Sequence, residues 1–220
     1  MLPLQFTTSR TARYLSLGEA GPAIAHVWVC LHGHGQPLAE LAAHLQNLDT
    51  SERLLLLPEA LSRYDQPQDA NSDGITNKGP RTEAAWFAAE TLLPDLTDLT
   101  GYLDALTTQV LADCPPNTPV TVLGYGHGAA AACRWLAGNG RPYDRLILVA
   151  PVFPPEIDRR ATLMALAEYP VLVVSTTTDT YSPEAAGEGL MQDLYEVGLK
   201  AQQRLVDATG PLPLAALAGA

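Results

Sequence analysis

Five short runs dominated by Val, Leu and Ile recur along the chain: HVWVCL (26–31), RLLLLP (53–58), VTVLGY (120–125), RLILVAP (145–151) and VLVVST (171–176). Each is too short for a helix and too uniformly apolar for a strand with one wet face, so each reads as a strand buried on both sides. Between them lie PLAELAAHLQNL (37–48), LPDLTDLTGYLDALTTQVLADC (93–114) and GAAAACRWLAG (128–138), with apolar residues at three- and four-residue intervals. Strands that alternate with amphipathic helices make a parallel sheet covered on both faces. The predicted architecture is a three-layer α/β/α sandwich, mostly parallel. The first 25 residues contain LQFTTS and RYLSLG, expected to form an antiparallel edge pair, and the polar stretch 65–83 reads as a surface loop.

The 220 residues suit one domain, 1–220, since no polar or low-complexity spacer divides them. Thirteen Lys and Arg stand against 24 Asp and Glu, and a net charge of −11 repels a phosphate backbone, which argues against nucleic acid as a partner. The three cysteines, Cys30, Cys114 and Cys133, show no paired spacing, and no run is long enough for a membrane span. The chain is expected to be cytoplasmic, as a monomer or a homodimer. Cys30 and Cys133 fall within apolar segments and read as buried and inert.

In a parallel α/β sheet ligands bind beyond the carboxyl ends of the strands. Three segments follow strands there: LHGHG (31–35), GYGHG (124–128) and TTTDTYS (176–182). The glycines of GYGHG allow a tight strand-to-helix turn, and the helix that follows offers free N–H groups, a corner suited to an anion.

With these segments in order, the chain resembles the α/β-hydrolase fold, and within it the small carboxylesterases and phospholipase-like proteins. The resemblance implies an oxyanion loop at His32 and Gly33, and an elbow G-x-S-x-G at Gly124, Gly126 and Gly128, whose serine position is Gly126. It places the acid of the triad at Asp179 and its histidine in QQRLVDATGPLP. The five histidines are His26, His32, His34, His44 and His127, so residues 128–220 hold none. Gly126 and Asp179 are thus vestigial catalytic positions, and the expectation is a fold without its machinery. Glycine offers neither oxygen nor thiol for covalent catalysis. Ser175 and Ser182 have no histidine behind them.

The expected pocket is lined by His32, Gly33, His34, Tyr125, Gly126, His127 and Trp86. His32 braces the oxyanion loop, His34 is its polar contact, and His127 packs into neighbouring structure. Trp86 and Phe87 either flank the pocket or belong to the core, and Tyr64 reaches its mouth. His32 and His34 have H-x-H spacing, but no closed ligand set goes with it, so neither a metal nor another cofactor is expected. Three functions fit: a pseudoenzyme that binds a small acyl or carboxylate ligand, or a protein partner, without turning it over; a hydrolase with a non-standard nucleophile or metal-bound water; and a scaffold with no ligand.

Overall fold

The computed structural model describes residues 4, 6–66, 81–139, 143–166, 170–176, 184–206 and 214–217. The five apolar runs are all strands: β2 His26–Leu31, β3 Arg53–Pro58, β6 Val120–Tyr125, β7 Arg145–Val149 and β8 Val171–Thr176. With β1 Tyr14–Leu17 and β9 Ala201–Val206 they form a seven-stranded sheet in the order β1-β3-β2-β6-β7-β8-β9. Every pairing is parallel except that of β1 with β3. The central strands are uniformly buried, as runs without polar alternation require.

Two expectations change. Among the described residues of LQFTTS there is no strand, and Tyr14–Leu17 pairs instead with β3, from Tyr14↔Pro58 to Leu17↔Leu55. The open edge of β3 supplies a ladder of backbone groups and an apolar face that Leu17 packs against, neither of which LQFTTS offers. The polar stretch 65–83 begins and ends in a hairpin, β4 Ser62–Gln66 with β5 Arg81–Ala85, whose register puts Tyr64 opposite Glu83. Residues 67–80 lie outside the described residues.

Four helices cover one face: α2 Leu92–Leu111, α3 His127–Asn139, α4 Arg159–Met164 and α5 Glu184–Glu196. Helix α2 turns Leu96, Leu99, Leu103, Leu106 and Val110 inward at helical spacing. Trp135 of α3, 1% exposed, donates its indole N–H to Asp104 Oδ1 of α2 at 2.8 Å. Asp158 caps α4 by accepting from Ala161 N–H at 2.9 Å. Ion pairs from Arg159 to Asp193 and from Arg160 to Glu196 clip α4 to α5. The opposite face carries α1 Leu38–Leu45, continued by a 3-10 turn, and the short α6 Leu214–Leu217, packed on Trp28, Cys30, Leu55, Leu123 and Ile147. Cys30 and Cys133 are buried as expected, and burial pushes the Cys133 thiol up to about 12.

Candidate functional site

At the end of β6 the chain turns into α3 through Gly126, whose φ is +54°, left-handed backbone that L side chains adopt only under strain. The glycines beside it are required by packing. A Cβ on Gly124 would stand 2.5 Å from Ala129 Cα, and one on Gly128 would stand 2.6 Å from His32 O. They let α3 lie against β6 and against the end of β2. Among the described residues a Cβ on Gly126 would meet only Gly33 Cα, at 3.6 Å, an ordinary contact. Its peptide is anchored to the end of β7, with Gly126 N–H donating to Val149 O at 2.9 Å and Val152 N–H donating to Gly126 O at 3.0 Å. Ala150 beside these bonds also has a left-handed φ, +42°, and donates its N–H to Val174 O at 2.7 Å.

The loop after β2 faces this turn. His32 is fully buried, and both ring nitrogens are occupied by backbone: Nδ1–H donates to Gly33 O at 2.6 Å and Nε2 accepts from Ala60 N–H at 3.0 Å. That bonding fixes the neutral Nδ1–H tautomer. Trp86, 4% exposed, donates Nε1–H to His32 O at 2.8 Å, with the two rings 4.9 Å apart. Gly33 N–H is taken by Gln36 Oε1 at 2.9 Å. His127 and Gly128 open α3, where N–H groups have no acceptor within the helix. Among the described residues no backbone carbonyl accepts from His34 N–H or His127 N–H.

Above the turn stands a polar chain. His34 is exposed, and its Nε2 lies 2.9 Å from Tyr64 Oη, which donates to Glu83 Oε2 at 3.2 Å. Because the phenol proton goes to the carboxylate, His34 Nε2–H is the donor to Tyr64. The His127 ring is 5.2 Å from that of His34 and stacks on Phe87 at 6.3 Å and 12°. The structure therefore brings together His32, Gly33, His34, Gly126, His127 and Trp86, with Tyr125 beside Gly33 and its ring 5.9 Å from His44. Trp86 lies in the core, while Phe87 is shared between the core and His127. Ser175 is fully buried, with Gln203 Nε2–H donating to its Oγ at 3.2 Å. Asp179 lies outside the described residues, as does Ser182. Glu83 escaped the sequence reading because its role depends on the hairpin register; the alternation of Ser-Arg-Tyr and Arg-Thr-Glu around a polar turn is the signal that could have found it.

Burial lowers the pKa of His32, and burial, then the His34 charge, lowers that of His127. His26, behind the sheet, is lowered as well, again chiefly by burial. Each remains neutral in the fold at pH values where the unfolded chain protonates it near 6.5, so the unfolded state binds more protons in that window. Stability is expected to be full above pH 6.5 and to fall as pH drops through it. Denaturant midpoints measured from pH 7.5 to 5 check this, and a midpoint that rises on acidification contradicts it.

No family model matches the chain. A curated protein of Homo sapiens, the Immunity-related GTPase family Q protein, is 33% identical over 86 residues, 39% of this chain and 14% of its own length. The chain thus spans about a seventh of that relative, and the phosphate-binding pattern G-x-x-x-x-G-K-[ST] does not occur in it. Among solved structures, the esterase PE8 superposes with a TM-score of 0.63 at 19% identity, over 92% of this chain and 92% of that one. YahD, solved with malic acid, gives 0.60 at 16% identity over 94% and 96%. Acyl-protein thioesterase 2 of Zea mays gives 0.58 at 17% identity over 92% and 93%. The strand order, the single antiparallel edge and these superpositions over nearly the whole chain agree: the chain has the α/β-hydrolase fold.

Proposed function

We propose that this chain is a catalytically degenerate esterase-like protein that binds a small acyl or carboxylate ligand at the β6–α3 turn without hydrolysing it. The observation that carries the reading is the apex: glycine stands where the fold presents a nucleophile, and residues 128–220 contain no histidine to serve as its base. Attack on an ester requires a nucleophile with a base within about 3 Å. The His32 imidazole cannot move into that role, since both nitrogens hold backbone. What supports binding, among the described residues, is the room over Gly126, the His34 and His127 N–H groups that no backbone carbonyl takes, and the His34–Tyr64–Glu83 chain at the rim. The malic acid in YahD supports a carboxylate as the ligand class. A protein partner at the same turn, or a scaffold role with no ligand, is what remains if carboxylates fail to bind.

The polar chain also favours a second reading, in which His34, oriented through Tyr64 by Glu83, activates a water for hydrolysis. The water of this reading is bound either by hydrogen bonds or by a metal; among the described residues no group of three His, Cys, Asp or Glu could hold one.

Short-chain p-nitrophenyl esters, assayed with and without chelator, separate the two. No saturable turnover beyond a residual acceleration of about 10³–10⁴ over water is expected, that being what oxyanion donors and binding alone supply. Saturable turnover that His34→Ala abolishes would replace the first reading with the second. Gly126→Ser is expected to fold, at a cost of about 1–2 kcal/mol for its left-handed φ, and to stay unlabelled by a fluorophosphonate. Stoichiometric labelling of the variant would reveal a base that the reading denies.

A further inference from the structure

At the amino-terminal end of the sheet, on the face covered by α1 and α6, lies a group of hydrogen-bond donors without acceptors among the described residues. Strand alternation places His26 and Trp28 of β2, Arg53 of β3, Thr121 of β6 and Arg145 of β7 on this face, the one that also carries Leu55, Leu123 and Ile147. Register sets three of them in a row, since Trp28 pairs with Thr121 and Thr121 with Arg145. Arg53 sits beside His26 at the end of the neighbouring strand. With strands about 4.8 Å apart, Trp28 and Arg145 stand about 10 Å apart at the backbone. Thr121, with the shortest side chain of the three, lies between them.

Among the described residues the hydrogen bonding around Thr121 does not close. Trp28 is 4% exposed, and its buried Nε1–H has no acceptor among the described residues; neither do Arg145 Nε–H and Nη2, nor Arg53 Nε–H, all buried. Arg53 gives Nη1 to Leu48 O at 2.6 Å and lays its guanidinium over the Trp28 ring at 5.6 Å. Thr121 Oγ1 and His26 Nε2 satisfy each other at 2.9 Å. The nearby Asp144 carboxylate accepts from Val120 N–H at 2.7 Å. The cations here repel one another: after burial, the charges of Arg53 and Arg145 lower the pKa of His26, opposed by Asp144, and after burial the charge of Arg204 lowers that of Arg145. Two arginines thus act on one histidine in a chain whose net charge is −11. Buried donors left open cost free energy, and the usual remedy is a bound water or ion.

We infer that this cluster around Thr121 is a binding site for a small oxyanion of carboxylate or phosphate type, held by the Arg145 guanidinium and the Trp28 indole N–H. A planar guanidinium offers two parallel N–H groups to such an anion, and the indole adds a third. The site is at the amino ends of the strands, whereas Gly126 is at the carboxyl end of β6, so it stands or falls independently of the function proposed above.

The test uses the full chain and inorganic phosphate, at ionic strength held constant with sodium chloride. The melting temperature is expected to rise saturably with phosphate, and one of the three indole N–H signals in a nitrogen-15 spectrum to move with it. Trp28→Phe identifies that signal by deleting it. Arg145→Gln is expected to weaken the apparent Kd at least about tenfold, while His34→Ala leaves it unchanged. A response that chloride reproduces, that survives Arg145→Gln, or that disappears in His34→Ala overturns the site, the last by moving the anion to the β6–α3 turn. Should Arg145→Gln fail to fold, the Trp28 indole signal of the wild-type chain decides alone: movement supports the site and stasis refutes it.

Discussion

Gly128→Ala is expected to destabilise the fold by about 3 kcal/mol or more, the upper range for overpacking a rigid interior. The added methyl would lie 2.6 Å from His32 O and similarly close to Leu31 O, and these are backbone atoms of β2 and the loop after it, with no rotamer to change. Relief requires α3 to move off the sheet. That would open the layer in which Ala129, Ala130, Ala131, Ala132 and Cys133 are all fully buried. Gly138→Ala on the same helix is the control. Its Cβ would meet only the Thr100 side chain, at 3.8 Å, so the substitution is expected to be neutral or stabilising by up to about 1 kcal/mol. Chemical denaturation of the two variants compares them directly. Equal midpoints would mean that the approach of α3 to β2 is not the constraint described.

His32→Ala is the second substitution with a large expected cost, about 3–5 kcal/mol, although no reaction depends on it. The imidazole joins Gly33 O to Ala60 N–H, which belong to loops after β2 and β3, and its removal leaves both without that partner in a buried setting. Each buried polar group left open costs about 1–3 kcal/mol, and the space beside the Trp86 ring adds a cavity. His32→Gln, which can reach one of the two groups, is expected to recover part of the loss. Midpoints for the two variants that match the wild type would remove His32 as the brace of this loop. The Trp86 indole, bonded to His32 O, makes near-ultraviolet circular dichroism a local reporter of the same event.

The elements legible in the sequence are those whose pattern has one meaning. Runs such as RLLLLP and RLILV can only be strands buried on both faces, and α2 repeats leucine at helical spacing for five turns. Strand β9 was missed because AQQRLV sits at the sheet edge, where half-exposed positions admit Gln and Arg and the apolar signal fades. The hairpin β4–β5 was missed for a related reason: its residues are mostly polar, and its pairing is a property of register. At the site, the three glycines and His32 were readable because each answers a local backbone demand. The His34–Tyr64–Glu83 chain was not, since it joins residues from a loop and two strands whose meeting no local pattern encodes. The open donors around Arg145 were equally hidden, because a sequence shows which groups are charged but not which find partners.

The two bonds that tie the Gly126 peptide to the turn after β7 have a consequence for how such a chain changes over time. They run through main-chain atoms, so no side chain at the tip is needed to hold the bend. A substitution at the tip that spares those bonds therefore leaves the joint between sheet and helix intact, and what the bend presents to solvent can change while the architecture feels no pressure to follow.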